Sequence, residues 1–153
     1  MFLAYQSSAG NMKRILILDD ERSITFSLSR CLQSGTVEVI SCQDSLSAMR
    51  GLAETRVDAI IADVRLSVIN PYEAIQFIRH VRSVHHEIPL IMMSCTEDLK
   101  AEALKAGATY FFQKPLDVDR LIQLLRALGI EAGQENYPRT SPNRYFGNAY
   151  GFS

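Results

Sequence analysis

Four short apolar runs punctuate this chain, and each stops on a residue that can handle phosphate. Ile15-Leu16-Ile17-Leu18 runs into Asp19-Asp20, and Ala59-Ile60-Ile61-Ala62 runs into Asp63. Leu90-Ile91-Met92-Met93 meets Ser94, and Tyr110-Phe111-Phe112-Gln113 meets Lys114-Pro115. Near-continuous apolar runs of this length are the signature of buried parallel strands, because helices cover both faces of the sheet. In such sheets ligands gather just beyond the carboxyl ends of the strands. The chain therefore delivers three carboxylates, a hydroxyl and an ammonium to one edge, a set suited to phosphoryl transfer to a carboxylate.

Between Lys13 and about Ile130, strand-like and helix-like patterns alternate five times. The spacing predicts strands at Arg14–Leu18, Val37–Ser41, Val57–Ala62, Leu90–Met93 and Tyr110–Phe112. The first helix is expected from Ser23 to Gln33, with Ile24, Leu28, Cys31 and Leu32 on one face and Gly35 as its stop. Asp44 or Ser45 caps a second helix carrying Leu46, Met49 and Leu52. A third opens with Asn70 as cap, Pro71 at the first helical position and Glu73 as a capping-box acid, and continues through Ile75, Ile78 and Val81. A fourth covers Leu99 to Ala106 and ends at Gly107; a fifth starts at Asp117, with Val118, Leu121, Ile122, Leu125 and Leu128 as its stripe. Alternation of this kind implies right-handed crossovers and a parallel α/β sheet.

Bulk properties remove other classes. A chain of 153 residues with 47% hydrophobic content builds one domain with a real core. A net charge of −1 and the lack of a Lys/Arg cluster speak against direct nucleic-acid binding. No apolar stretch approaches the roughly 20 residues of a membrane span, and Met1–Tyr5 lacks the features of a signal peptide, so the cytoplasm is the expected location. Cys31, Cys42 and Cys95 show no CxxC spacing and read as reduced thiols, Cys95 partly exposed. Residues 1–12 read as a flexible extension, 13–130 as the domain and 131–153 as a tail. Pro138 and Pro142 make that tail a mobile segment, while Tyr137, Tyr145, Phe146, Tyr150 and Phe152 leave a docking segment as the alternative.

Asp19-Asp20-Glu21 occupies the first strand–helix turn, where a nucleotide-binding fold would place glycines; neither GxGxxG nor GxxxxGK occurs. An acidic turn repels phosphate unless a cation intervenes, and Mg²⁺ takes one or two carboxylates plus phosphate and water. Asp20 and a second carboxylate are expected to hold it, Asp19 acting directly or through water. Asp63 ends the strand expected beside strand one, so it reaches the same ion and can serve as a nucleophile. Ser94 donates to a phosphoryl oxygen, and Lys114, two strand steps from Asp63, covers part of that gap as a counter-charge. Taken singly, each is an ordinary cap, turn hydroxyl or solvated lysine; in this order, all at strand ends, they form a site. His80, His85 and His86 fall at the opposite edge and read as solvated loop residues.

The chain resembles the receiver domain of two-component signalling, and the resemblance spans about Lys13 to Gly129. It rests on Asp19 and Asp20, Asp63, Ser94, and Lys114 before Pro115. The resemblance implies a flavodoxin-like (βα)5 three-layer sandwich with a parallel five-stranded sheet of order 2-1-3-4-5. It implies Asp63 as phosphoacceptor, Mg²⁺ held by Asp20, Asp63 and the Arg65 backbone carbonyl, and Asp19 supporting the metal through water. Ser94 and Phe111 resemble the switch hydroxyl and aromatic, Lys114 binds the phosphoryl group, and the Lys114–Pro115 bond is expected to be cis. Arg65 and Thr96 take positions that tune hydrolysis of the phosphoryl group, Arg65 shielding it from water.

The implied partner is a sensor histidine kinase or a His-containing phosphotransfer protein. The implied output is a protein contact made by the helix 4–strand 5–helix 5 surface, with room for a phosphorylation-linked dimer. The chain is thus expected to be a signalling switch and not a turnover enzyme, either stand-alone or a fragment. Departures from the family pattern are Ser67 where Pro is frequent, Asn70-Pro71 where Asp-Gly is frequent, Cys95 where Ala is commoner, and Phe111 without a phenol hydroxyl. They motivate an alternative, a receiver-like interaction module that never uses phosphate. An aspartyl-phosphate phosphatase is the enzymatic rival, but the DxDxT signature is absent.

Overall fold

Residues 11–64, 70 and 72–133 are described by the computed structural model. Five strands, β1 (Lys13–Leu18), β2 (Val37–Cys42), β3 (Ala59–Asp63), β4 (Leu90–Ser94) and β5 (Tyr110–Gln113), alternate with five helices. The helices are α1 (Arg22–Leu32), α2 (Ser45–Glu54), α3 (Glu73–Val84), α4 (Lys100–Ala106) and α5 (Val118–Ala127). The sheet is wholly parallel, in the order β2-β1-β3-β4-β5. The expected α/β sandwich and strand order are therefore present.

Side chains of the central strands alternate between two cores, as the two-residue period of a strand requires. Leu16, Leu18, Ile60, Ala62, Leu90 and Met92 face α2, α3 and α4. Ile15, Ile17, Ala59, Ile61, Ile91 and Met93 face α1 and α5. Every residue of β3 and β4 is buried, which explains why these runs read as continuously apolar.

Several local expectations change. β3 begins at Ala59 because the Asp58 carboxylate accepts the Arg14 N–H at 2.9 Å, taking the place of a ladder bond. Gly35 is not the stop of α1; Gln33, extended, ends the helix. Leu46, expected on the second helix, and Leu128, expected in the apolar stripe of the fifth, are exposed at the ends of those helices. Of the two candidate caps for α2, Asp44 performs the role, accepting the Ser47 N–H at 2.7 Å.

At α3, Asn70 Oδ1 accepts the Tyr72 N–H at 3.1 Å. Glu73 makes no capping box; its carboxylate accepts the Ser45 hydroxyl at 2.7 Å and ties α3 to the start of α2. Pro71 lies outside the described residues, as do 1–10 and 134–153. The first residues assigned to the tail are part of the packed body: Ala132 is buried, Gly133 N–H donates to Leu32 O at 3.0 Å, and Ser34 Oγ donates to Glu131 O at 2.8 Å. Cys42 is buried at the end of β2 and Cys95 exposed just beyond β4, three strand steps away, and none of the three cysteines is joined in a disulfide. No described helix is long and apolar enough to cross a membrane.

At the amino edge of the sheet, Arg82 binds two loops. Its guanidinium donates to Gly107 O at 2.7 Å, Ile88 O at 2.7 Å, His85 O at 3.2 Å and Thr109 Oγ1 at 2.9 Å. Burial lowers its pKa, and these acceptors, with His86 O at 3.5 Å, compensate the lost hydration. Gly107 adopts φ 125°, and a Cβ there would sit 2.5 Å from Arg82 Cγ. Gly107→Ala is therefore expected to cost about 1–3 kcal/mol through backbone strain and displacement of Arg82. Urea unfolding measures it; a cost below a few tenths of a kcal/mol would show that neither constraint matters.

Candidate functional site

The carboxyl edge of the sheet gathers the expected residues because neighbouring strands end together. Ala62 lies beside Leu18, Met93 beside Asp63, and Gln113 beside Ser94. Each strand therefore releases its next side chain into one depression. Asp19 is fully buried after β1, where its backbone N–H donates to Cys42 O at 3.1 Å. Its Oδ1 accepts the Glu21 N–H at 2.9 Å, so the turn into α1 supplies a dipole to the carboxylate. Asp20, the next residue, is exposed.

Asp63 closes β3 and is 7% exposed. Lys114 follows β5, where its N–H donates to Ser94 O at 2.7 Å and its bond to Pro115 is cis. The lysine stem does more than the sequence-based estimate allowed. It spans the whole gap, placing Nζ 2.9 Å from Asp63 Oδ2 and 3.4 Å from Asp19 Oδ2.

Ser94 is 2% exposed, and its Oγ accepts the Thr96 N–H at 3.2 Å. Thr96 is half-buried at the same edge. Phe111, on β5, is half-buried against the core beneath α4. Arg65 lies outside the described residues. Sequence reasoning missed Lys100, whose ammonium stands 6.0 Å from the centroid of the Phe111 ring. Its place at the head of the helix after Ser94 was the available signal. His85 lines a cleft of about 540 Å³ with Arg56, Asp58 and Glu87 at the opposite edge, away from Asp63.

Charge in the depression is uneven. Burial pushes the Asp19 carboxyl up to about 6, Lys114 opposes this, and the nearby Asp63 charge reinforces it. One oxygen from each of Asp19, Asp20 and Asp63 lies within 4.8 Å of the others, while the single ammonium of Lys114 contacts two of these residues. A divalent cation with a preference for oxygen donors fits this set. Mg²⁺ is such an ion, and Asp19, Asp20 and Asp63 are the described residues that could hold it.

Residues 15–126 match the family described as the response regulator receiver domain. The transcriptional regulatory protein PrrA of Mycobacterium leprae is 29% identical over 117 residues, covering 75% of this chain and 49% of that protein. The chain thus spans about half the length of the curated relatives it matches. The chemotaxis response regulator CheY4 of Vibrio cholerae superposes with a TM-score of 0.67 at 29% identity, over 76% of this chain and 98% of that one. A response regulator from Thermotoga maritima, at 20% identity, shares the fold with a TM-score of 0.66, over 76% of this chain and 97% of that one.

The Asp19 shift sets a pH dependence. Its carboxyl titrates near 6 when folded and near 3.8 otherwise, so between those values the folded state binds more protons. Its contribution to metal-free stability is most favourable below about pH 4, declines as pH rises to about 6 and is flat above. Asp19→Asn is expected to stabilise the metal-free protein by roughly 1–3 kcal/mol at pH 7.5. Excess Mg²⁺ should narrow that difference. Urea unfolding at pH 5 and 7.5 tests this, and a neutral or destabilising Asp19→Asn at pH 7.5 overturns it.

Proposed function

The chain belongs to the response regulator receiver domain family of two-component systems, and on that premise we propose that Asp63 is its phosphoacceptor. Response regulators receive phosphoryl groups from histidine kinases, and a kinase or a His-containing phosphotransfer protein is the donor in this reading. The observation that carries it is the Lys114 ammonium 2.9 Å from Asp63, drawn across β4 into a depression that also holds Asp19 and Asp20.

In the proposed reaction an Asp63 carboxylate oxygen attacks the phosphorus carried by the donor imidazole. The phosphorus–nitrogen bond breaks, its electron pair stays on the imidazole, and an acyl phosphate remains on Asp63. Nucleophile, donor and depression are all anionic, so the barrier is largely electrostatic. Asp19, Asp20, Asp63 and the Arg65 carbonyl would hold Mg²⁺, which would supply charge neutralisation when bound. Lys114 stabilises the phosphoryl oxygens beside Asp63 and is already in place, so little reorganisation is needed. Asp19 keeps Lys114 oriented through its second contact. Ser94, one strand from Asp63, donates its hydroxyl to a phosphoryl oxygen.

Phosphorylation in this reading draws Ser94 toward Asp63 and lets the Phe111 ring move inward by packing alone. Two conformations of the α4–β5–α5 surface then differ in population. That surface carries a groove of about 380 Å³ lined by Phe111, Gln113, Pro115, Asp117 and Arg120 among others, which suits a protein partner. Thr96 and Arg65 tune the lifetime of the phosphoryl group. This is a signalling domain that catalyses only its own phosphorylation and dephosphorylation.

Incubation with a small acyl phosphate and Mg²⁺, followed by intact mass, is expected to reveal one base-labile phosphoryl adduct. Asp63→Asn should abolish it, and Lys114→Ala should slow its formation by on the order of 10²-fold or more. An adduct that persists in Asp63→Asn refutes the assignment, and no adduct with any donor favours the phosphate-independent module. Arg65→Ala is expected to shorten the phosphorylated lifetime; an unchanged lifetime removes the shielding role.

A further inference from the structure

A cleft of about 540 Å³ opens at the amino edge of the sheet, away from Asp63, and the proposed reaction makes no use of it. Two helices end on it. α2 closes at Glu54, with Thr55 beyond, and α3 closes at Val84, with His85 beyond. Leu52 and Val57 form a buried floor, and Ile88 and Pro89 a half-buried side. One wall is already fixed, because Arg82 holds the carbonyls of His85 and Ile88 at 3.2 and 2.7 Å. A preformed site loses little freedom when something binds.

Charge on the rim favours a cation. Glu54, Asp58 and Glu87 line the cleft with one arginine, Arg56. Asp58 is already engaged: it accepts the Arg14 N–H at 2.9 Å and meets Lys13 and Arg56 at 3.8 Å each. Glu54 and Glu87 make no ion pair or side-chain hydrogen bond among the described residues. The last carbonyls of α2 add negative potential, and the last turn of that helix carries no basic residue to offset it. A ligand with apolar bulk and positive charge fits such a cleft. The groove beside β5 has no such preference, since Asp117 and Arg120 balance there.

The chain itself carries a ligand of this kind. Between Asn136 and Phe152 it has five aromatic residues, two arginines (Arg139 and Arg144) and no acid. Arg144-Tyr145-Phe146 sets a guanidinium directly beside two rings. Arginine and tyrosine each join an apolar body to a polar tip, which suits a cleft of mixed lining. The last described residue, Gly133, stands at the same edge of the sheet. Ser34 Oγ donates to Glu131 O at 2.8 Å, and the Ser34 N–H donates to Val37 O at 3.2 Å. Val37 lies beside Lys13 in the sheet, and Lys13 meets Asp58 on the cleft rim. Residues 134–145 reach up to about 40 Å when extended, against about 5 Å between neighbouring strands.

We propose that this cleft is the docking site for residues 144–146 of the same chain. The rings of Tyr145 and Phe146 cover Leu52, Val57 and Ile88, and the Arg144 guanidinium pairs with Glu54 and Glu87. Docking there keeps the segment after Gly133 at the edge opposite Asp63 and leaves the α4–β5–α5 surface uncovered. Phosphate has no part in it, so the proposal stands or falls separately from the phosphoacceptor reading.

NMR of the full chain with labelled methyl groups tests it at low ionic strength, where the ion pairs are least screened. Nuclear Overhauser contacts are expected from the rings of Tyr145 and Phe146 to the methyls of Leu52, Val57 and Ile88. Glu54→Lys with Glu87→Lys, both at exposed positions, should abolish them, and adding Arg144→Glu should restore them. Tyr145→Ala with Phe146→Ala, which changes no residue of the described fold, should shift the Val57 and Ile88 methyl signals and leave those of Ile60 and Ile91 in place. Absence of the ring–methyl contacts overturns the proposal. So do contacts that arise only between differently labelled copies, which would make a second chain the occupant. Contacts that survive the double charge reversal overturn the pairing of Arg144 with the acidic rim.

Discussion

The ammonium of Lys114 between the carboxylates of Asp19 and Asp63 is the interaction on which the carboxyl edge depends. Two carboxylates this buried repel one another and lose hydration, and burial is the larger penalty for Asp19. A cation brought in by a third segment offsets part of that cost. The lysine must come from the far side of β4, so the order β1-β3-β4-β5 is a precondition for the site. Among the described contacts, the Lys114 ammonium meets two of three neighbouring acids. Three acids converging on one depression form a set that a divalent cation could join.

Rigidity is distributed to suit that arrangement. β3 and β4 are buried throughout and hold Asp63 and Ser94 at fixed heights between two cores. At the opposite edge, Arg82 concentrates its donors on the loops around α3, β4 and β5. The more exposed parts of the described fold near Ser94 and Phe111 are residues 95–99 and the half-buried edge strand β5. A firm base and a more exposed rim are the conditions under which a small change of charge can become a change of surface.

Much of this was legible in the sequence, because it depends on patterns that are local or periodic. Continuous apolar runs marked the parallel strands, and the helical stripes of α1, α3 and α5 located the covering layers. The failures have specific causes. Leu46 and Leu128 continue a periodic pattern past the point where the helix still faces the core. Glu73 has the spacing of a capping-box acid, but the Ser45 hydroxyl on another helix is the partner it meets. Residues 131–133 look like tail by composition, and their docking, with Ala132 and Gly133 buried, comes from contacts with Leu32, Ser34 and Arg126 that no local pattern encodes.

The sequence by itself determined which chemical groups stand at strand ends, and hence that three acids, a hydroxyl and a lysine would share one edge. That follows from the strand period and the rule that parallel strands point the same way. Only the tertiary structure decided how those groups divide their roles. Asp19 is sealed beneath Lys114 while Asp20, its neighbour in the chain, is exposed. Tertiary packing also decided that Lys114 reaches across two strands, that Arg82 fixes one end of α4, and that Lys100 meets Phe111. The physical reason is common to all of these. Burial and side-chain reach depend on where distant segments pack, and residues 95 positions apart, such as Asp19 and Lys114, acquire a distance only when the sheet has formed.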